Sequence, residues 1–351
     1  MLDARGVSMA SPLPSTLSTL VGSSCITPSG QQAAAWSYDA SFLSSCQLEQ
    51  CFARLGKTFQ VVQLSPGPLA GRFSVVHLQG LSVLMISTNK VLLVNGERGN
   101  DCVSFSLEIS GNVDDHRVQC QAFERHALYG FNQKLQEAHF QVSAGSVCLM
   151  AITTATRINT LLTRLGQDHL IESLMSSNCL PLDGETHAAL ANQMSTIFTK
   201  CPRTPKQRSL AAESILMQVV ASLQKGLEAF RPFALSSRDS LVQEFIRWGF
   251  EHGTTPATLD EICQQLYTSR RTLILGSKEN FNCGPMELLR TIRLQQVHAL
   301  LRSPAARSAA GLQQVSDVAE FCGFRSRGHF ARAYQEHFEE TPKATLMKSV
   351  A

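Results

Sequence analysis

At 351 residues, with 44% hydrophobic and 17% charged residues, the chain is longer than one ordinary domain and too apolar to be a disordered or fibrous protein. A formal net charge of +3 permits nucleic-acid binding without requiring it; from Ser237 onward 14 Lys/Arg face 12 Asp/Glu, so any such reading rests on where the arginines sit. The 11 cysteines form no repeated CxxC, and no signal-peptide run or stretch approaching about 20 apolar residues occurs, which points to buried thiols in a reducing cytoplasm and away from a membrane.

Residues 1–40, rich in Ser, Thr, Pro, Gly and Ala, read as a flexible tail, with Met9 an alternative start. From Phe52 to Ile152 short apolar runs alternate with turn signals. Val61-Val62-Gln63-Leu64, Phe73-Ser74-Val75-Val76, Leu81 to Ile86, Val91 to Val94 and Val103-Ser104-Phe105-Ser106-Leu107 predict strands, broken at Pro66-Gly67-Pro68, Asn95-Gly96, Gly111-Asn112 and Ala144-Gly145. A β-barrel or β-sandwich is expected.

After Thr153 the period turns helical through Leu161, Leu162, Leu165, Leu170, Ile171 and Leu174, with further helices over Thr186 to Thr199 and Ser209 to Phe230. With these helices, residues 41–230 make a β-rich unit suited to sensing a signal or to dimerisation. Residues 231–237, Arg231-Pro232 to Ser237, read as a linker, with Ser237 the candidate N-cap of an all-helical unit over residues 238–351. The fold class is therefore α+β in two units.

Two helix-turn-helix patterns lie in the second unit. Thr258 to Leu266 predicts a first helix with acidic residues in its opening turn, Tyr267-Thr268 the turn, and Ser269 the cap of a helix running from Arg270 to Asn280. Arg270 and Arg271 at a helix N-terminus oppose the dipole, and recognition of phosphate or guanine is a reason to tolerate that. The pattern returns with Val315 to Cys322, a left-handed turn at Gly323, and a helix from Ser326 to His337 that sets Arg327, His329 and Arg332 apart from Phe330, Tyr334 and Phe338. Pro285 to Ser303 predicts a long amphipathic helix between them. Two such helices one DNA turn apart, about 34 Å, enter successive major grooves.

In order along the chain, Ser269-Arg270-Arg271-Thr272-Leu273, Pro285, Ile292-Arg293-Leu294, Val318-Ala319, Gly323-Phe324, Phe330, Phe338 and Thr341-Pro342 resemble the AraC/XylS family signature, from Ser237 to Lys348. Gly323-Phe324, Gly328-His329-Phe330-Ala331 and Tyr334 are similar to the ethanolamine-operon type. The resemblance implies base contacts from Arg271, Ile274 and Leu275 and from Arg327, Gly328, Ala331 and Arg332. Ser269, Arg270, Lys278, Ser326 and His329 complete the expected DNA-binding set. It also implies double-stranded promoter DNA and RNA polymerase as partners, activation as the outcome, and a small-molecule inducer or a homodimer as possible controls. The chain departs from the family at Leu275 and Ser277, where arginine and phenylalanine are usual, with Gly276 between them, and at Asn282, where glycine is usual. Gly276 costs about 1 kcal/mol relative to alanine in a helix, and together these departures predict a first unit that is weaker or differently specific.

Other constellations point to little chemistry. His77, His116, His126 and His139 lack HxH or matched acidic spacing, so no metal site is expected. Asp114-Asp115-His116 and Glu124-Arg125-His126 read as polar turns, and Gly80, Gly96, Gly111 and Gly130 as turn glycines. No nucleophile motif, phosphate loop or cofactor signature accompanies them. The rivals to a ligand-controlled regulator are one controlled by abundance or a protein partner, and an enzyme fused to a DNA-binding unit.

Overall fold

The structure, a computed structural model, describes residues 37–110, 112–254 and 256–349. Residues 1–36, including Met9 and most of the expected tail, and the turn residue Gly111 lie outside the described residues. Strand β1 (Ser37–Phe42) occupies the end of the stretch expected as tail. It pairs antiparallel with residues 71–76 and turns Tyr38, Ala40 and Phe42 inward, an alternation too short to stand out in the sequence.

Helix α1 (Ser45–Ala53) follows, capped by Ser44 Oγ accepting the Gln47 N–H and burying Leu48, Cys51 and Phe52. The five predicted strands are present as β2 (Gln60–Gln63), β3 (Gly71–Leu78), β4 (Leu81–Thr88), β5 (Leu92–Glu97) and β6 (Cys102–Glu108). Beyond them come β7 (Arg117–Val118), β8 (Gln121–Ala122), β9 (Ala127–Tyr129), β10 (Glu137–Val142) and β11 (Ser146–Thr154). The helical stretch resolves into α2 (Ala155–Arg164), α3 (His169–Ser176), strand β12 (Ser177–Pro181), α4 (Gly184–Lys200), α5 (Pro205–Lys225) and strand β13 (Arg231–Pro232).

Two sheets result, in the orders β1-β3-β4-β11-β6-β9-β12-β13 and β2-β5-β10-β7-β8. Of barrel and sandwich, the chain forms the sandwich. Phe73, Val75, Leu84 and Ile86 of the larger sheet meet Val61, Leu92 and Val94 of the smaller one. The alternate residues Val76, Leu78, Leu81 and Val83 face the opposite way, onto Ile158, Leu190, Ile215 and Val219 of the helices. Along β6 the same alternation sends Val103, Phe105 and Leu107 to the helices, while Cys102, Ser104 and Ser106 line a cavity of about 110 Å³ between the sheets.

The helix expected to reach Phe230 stops at Lys225, with Gly226 as its C-cap. The expected linker opens with β13, whose Arg231 registers against Cys179 at the sheet margin, where proline's missing N–H is tolerated. The cap of the next helix is Ser236, one residue before the one predicted; its Oγ accepts the Asp239 N–H at 3.1 Å.

The C-terminal part is helical: α6 (Ser237–His252), α7 (Leu259–Gln265), α8 (Arg270–Phe281), α9 (Pro285–Arg302), α10 (Pro304–Ala309), α11 (Val315–Phe321), α12 (Arg327–Phe338) and α13 (Pro342–Lys348). Helix α9 belongs to two cores. Leu288, Leu289 and Ile292 pack with α6, α7 and α8, whereas Leu294, Val297, Leu300 and Leu301 pack with α11 and α12. The smaller sheet joins this assembly through Val62 and Leu93, and Gln119 Oε1 accepts a hydrogen bond from Gln243 Nε2 of α6 at 2.9 Å.

Gly276 has a steric reason that helix propensity alone conceals. A Cβ there would lie 2.7 Å from Val242 Cγ2 and 3.0 Å from Arg238 Cγ, so the glycine sets how closely α6 and α8 approach. Overpacking costs about 1–3 kcal/mol, against a gain of about 1 kcal/mol from helix propensity. Gly276→Ala is therefore expected to destabilise by about 1 kcal/mol in denaturant unfolding. Gly328→Ala, with nothing within 4 Å of the new Cβ, is expected to stabilise. A stabilising Gly276→Ala would refute the close approach.

Candidate nucleic-acid interface

In the first unit, Thr258 and Glu261 cap α7 reciprocally: Thr258 Oγ1 accepts the Glu261 N–H and Glu261 accepts the Thr258 N–H at 2.7 Å. These hydrogen bonds hold the Glu261 carboxyl below its usual range, and the charge of Arg325, from the second unit, adds to them. Tyr267 turns the chain with φ at 48° and is 98% exposed. Ser269 Oγ then accepts the Thr272 N–H at 3.1 Å and opens α8, which ends at Asn282 in the left-handed conformation, φ 56°.

The second unit repeats this with different residues. Asp317 Oδ2 accepts the Gln314 N–H at 2.9 Å at the head of α11, and Gly323 turns with φ at 81°. A Cβ on Gly323 would also stand 3.3 Å from the carbonyl oxygens of Gly253 and Thr254, so both conformation and space call for glycine. The rings of Phe324 and Phe330 lie 5.0 Å apart, and Ser326 Oγ accepts the His329 N–H at 3.4 Å to open α12.

Both helices bury one side and present their N-terminal halves outward. Ser269, Arg270, Arg271, Leu275 and Lys278 are exposed on α8, with Ile274 half-buried; Ser326, Arg327, Gly328, His329, Ala331 and Arg332 are all exposed on α12. Phe330, Tyr334 and Phe338 lie in the core, as their spacing predicts.

The cations of this face differ in their engagement. Arg270 pairs through two nitrogens with Asp260, tying α8 to α7; these bonds hold the Asp260 carboxyl below its usual range. Arg332 Nε donates to Glu336 at 2.8 Å along α12. Arg271, Lys278 and Arg327 have neither a hydrogen bond nor an ion pair among the described residues. Arg293 serves structure: its Nε donates to the Gly253 carbonyl at 2.7 Å, and burial lowers its pKa. Two exposed side chains of the face were not singled out from the sequence, Tyr267 as more than a turn and Arg325. The signal for Arg325 was its place immediately before a capping serine.

The arrangement offers two capped helix ends, each with an arginine that makes no hydrogen bond or ion pair among the described residues. Residues 262–348 match the family model described as "Helix-turn-helix domain". The HTH-type transcriptional activator RhaS of Escherichia coli is 26% identical over 142 residues, covering 40% of this chain and 46% of RhaS. The chain thus spans about half the length of the curated relatives it matches. A probable AraC family transcriptional regulator from Rhodopseudomonas palustris is 26% identical with a TM-score of 0.28, covering 31% of this chain and 97% of its own. ToxT from Vibrio cholerae is 12% identical with a TM-score of 0.28, covering 83% of this chain and 98% of its own. The ordered signature is thus seated in two complete helix-turn-helix units, within a C-terminal part that matches a helix-turn-helix domain family and is similar to that of the transcriptional activator RhaS.

Proposed function

We propose that this chain is a promoter-binding transcription activator that reads double-stranded DNA with the outward faces of α8 and α12. The observation that carries the reading is the pair Arg271 and Arg327, which make no hydrogen bond or ion pair among the described residues, each in the first turn or two of an exposed, serine-capped helix. Arginine's planar fork suits the O6 and N7 acceptors of guanine. Ser269, Lys278, Ser326, His329 and Arg325 contact phosphates or sugars, while Ile274, Leu275, Gly328 and Ala331 are small or apolar enough to let base edges approach. Arg270 braces α7 instead of reading bases, and Arg332 reaches DNA by leaving Glu336, since an exposed pair is worth only about 0–1 kcal/mol.

The domains of this reading meet at residues 231–237, with the sandwich as the sensory domain. Its cavity is lined mainly by apolar side chains, with Arg98 and Asn178 among the polar ones, which fits a small inducer. Leu210 and Met217, 57% and 46% exposed and two turns apart on α5, support a homodimer through that helix. RNA polymerase is the downstream partner, the cytoplasm the location, and no catalysis is assigned. Among the described residues no helix is long and apolar enough to cross a membrane.

The test is selection of host genomic fragments by the full-length protein at rising salt. Specific promoter fragments should persist while the bulk is released, because nonspecific affinity falls steeply with salt. Uniform loss of all fragments would contradict sequence-specific binding.

A further inference from the structure

The alternation that lines the intersheet cavity with Cys102, Ser104 and Ser106 places Glu108 at its end, beside Cys148 on the neighbouring strand β11. His116, eight residues on in sequence, folds back against both. His116 Nε2 lies 3.2 Å from Glu108 Oε2, Cys148 Sγ lies 3.0 Å from the same oxygen, and the sulfur and nitrogen are 3.7 Å apart. All three residues are buried. We infer that Glu108, His116 and Cys148 form a three-ligand site for Zn²⁺, with the fourth position open to the cavity between the sheets.

The spacing fits. Tetrahedral zinc with bonds of about 2.0–2.3 Å to nitrogen, oxygen and sulfur requires ligand atoms about 3.3–3.7 Å apart, so the nitrogen–oxygen and nitrogen–sulfur separations of 3.2 Å and 3.7 Å fit and the sulfur–oxygen separation of 3.0 Å opens by about half an ångström on binding. Each residue also offers a single atom, because its others are held. Glu108 Oε1 accepts the N–H groups of Ser110 at 2.8 Å and Val147 at 2.7 Å, leaving Oε2 for the cluster. His116 Nδ1 is 3.2 Å from Ser143 Oγ, the outer contact that orients a ligating imidazole and leaves Nε2 for metal.

A second observation points the same way. Gln141 lines the cavity together with His116 and Cys148, its Nε2 donates to the Asp115 carbonyl at 2.7 Å, and its buried Oε1 has no partner. A water or ligand on the metal would give that oxygen a donor. A thiolate, an imidazole and a carboxylate together favour a borderline-soft divalent ion such as Zn²⁺ over Mg²⁺ or Ca²⁺. Without metal the Cys148 thiol donates its S–H to Glu108 Oε2. On binding, the S–H bond breaks, sulfur ligates the cation, and the proton leaves to solvent.

The experiment uses full-length protein stripped of metal and titrated with Co²⁺ and then Zn²⁺. One equivalent of Co²⁺ should produce a thiolate-to-cobalt charge-transfer absorption that Zn²⁺ abolishes. Cys148→Ala should remove that band and weaken Zn²⁺ binding by more than about 100-fold, the upper range for losing even an outer contact. Cys179→Ala, at a buried cysteine on β12, should keep it. A folded wild-type protein with no charge-transfer band at saturating Co²⁺, or a band that survives in folded Cys148→Ala, overturns the assignment. Should Cys148→Ala not fold, Glu108→Gln, which keeps the side-chain shape, carries the test. A Zn²⁺ affinity at least tenfold weaker with the band retained is expected there, and an unchanged affinity overturns the site.

Discussion

Tyr334→Ala is expected to destabilise the second helix-turn-helix unit by about 3–5 kcal/mol, the range for removing a buried aromatic ring. The ring is fully buried, with centroids 5.7 Å from Phe330 and 4.6 Å from Phe338, so no rearrangement of surface groups fills the space. Its hydroxyl donates to Thr345 Oγ1 at 2.9 Å, fastening α12 to α13. Tyr334→Phe keeps the packing and removes that hydrogen bond, so it should cost only about 1 kcal/mol. Denaturant unfolding of the two variants separates the contributions. Equal losses would mean that the hydrogen bond, not the ring, holds α12. In a chain with several cores the alanine variant should show an early transition confined to part of the molecule, with loss of DNA binding in the same range of denaturant.

The second large effect concerns binding. Arg271→Ala and Arg327→Ala should each weaken binding to a selected promoter fragment by about 1–3 kcal/mol, roughly 5- to 150-fold, with little effect on nonspecific DNA apart from the lost charge. The two residues sit in separate units with no shared partner, so the double variant should lose close to the sum. Lys278→Ala is expected to act differently, lowering affinity for all sequences alike and reducing the salt slope by about 1. Arg270→Ala breaks an exposed brace to Asp260 whose two partners are 61% and 55% exposed, and should change specificity little. Titrations at two salt concentrations distinguish these outcomes. An Arg327→Ala variant that retains full specificity would remove α12 as a reader of bases.

The C-terminal third was legible because local rules and tertiary packing agree there. Ser269 and Ser326 cap the helices their positions predict, Gly323 takes the left-handed turn, and Asn282 does the work of the usual glycine. Gly276 was readable as a departure but not as a fit, because helix propensity carries no information about Val242, 34 positions earlier and across a helix interface. In the sandwich, alternation revealed strands such as Val103 to Leu107 but not what the polar face meets; the serines face an internal cavity rather than water. Strands β9 to β11 fall inside the stretch read as strands, whereas β1 and β12 lie outside it, because five or six residues paired with distant partners leave little periodic signal. The absence of HxH spacing argued against metal at His116, yet register alone brings Cys148 opposite Glu108, 40 residues away, with His116 folded onto both.

The central claim is that α8 and α12 place this protein at particular promoters. Its most direct test is a genome-wide occupancy map in the host, comparing the wild-type chain with Arg271→Ala/Arg327→Ala at matched abundance. Sharp peaks upstream of genes that collapse in the folded variant are predicted. Peaks that persist unchanged, or a wild-type protein with no enrichment anywhere, would contradict the account.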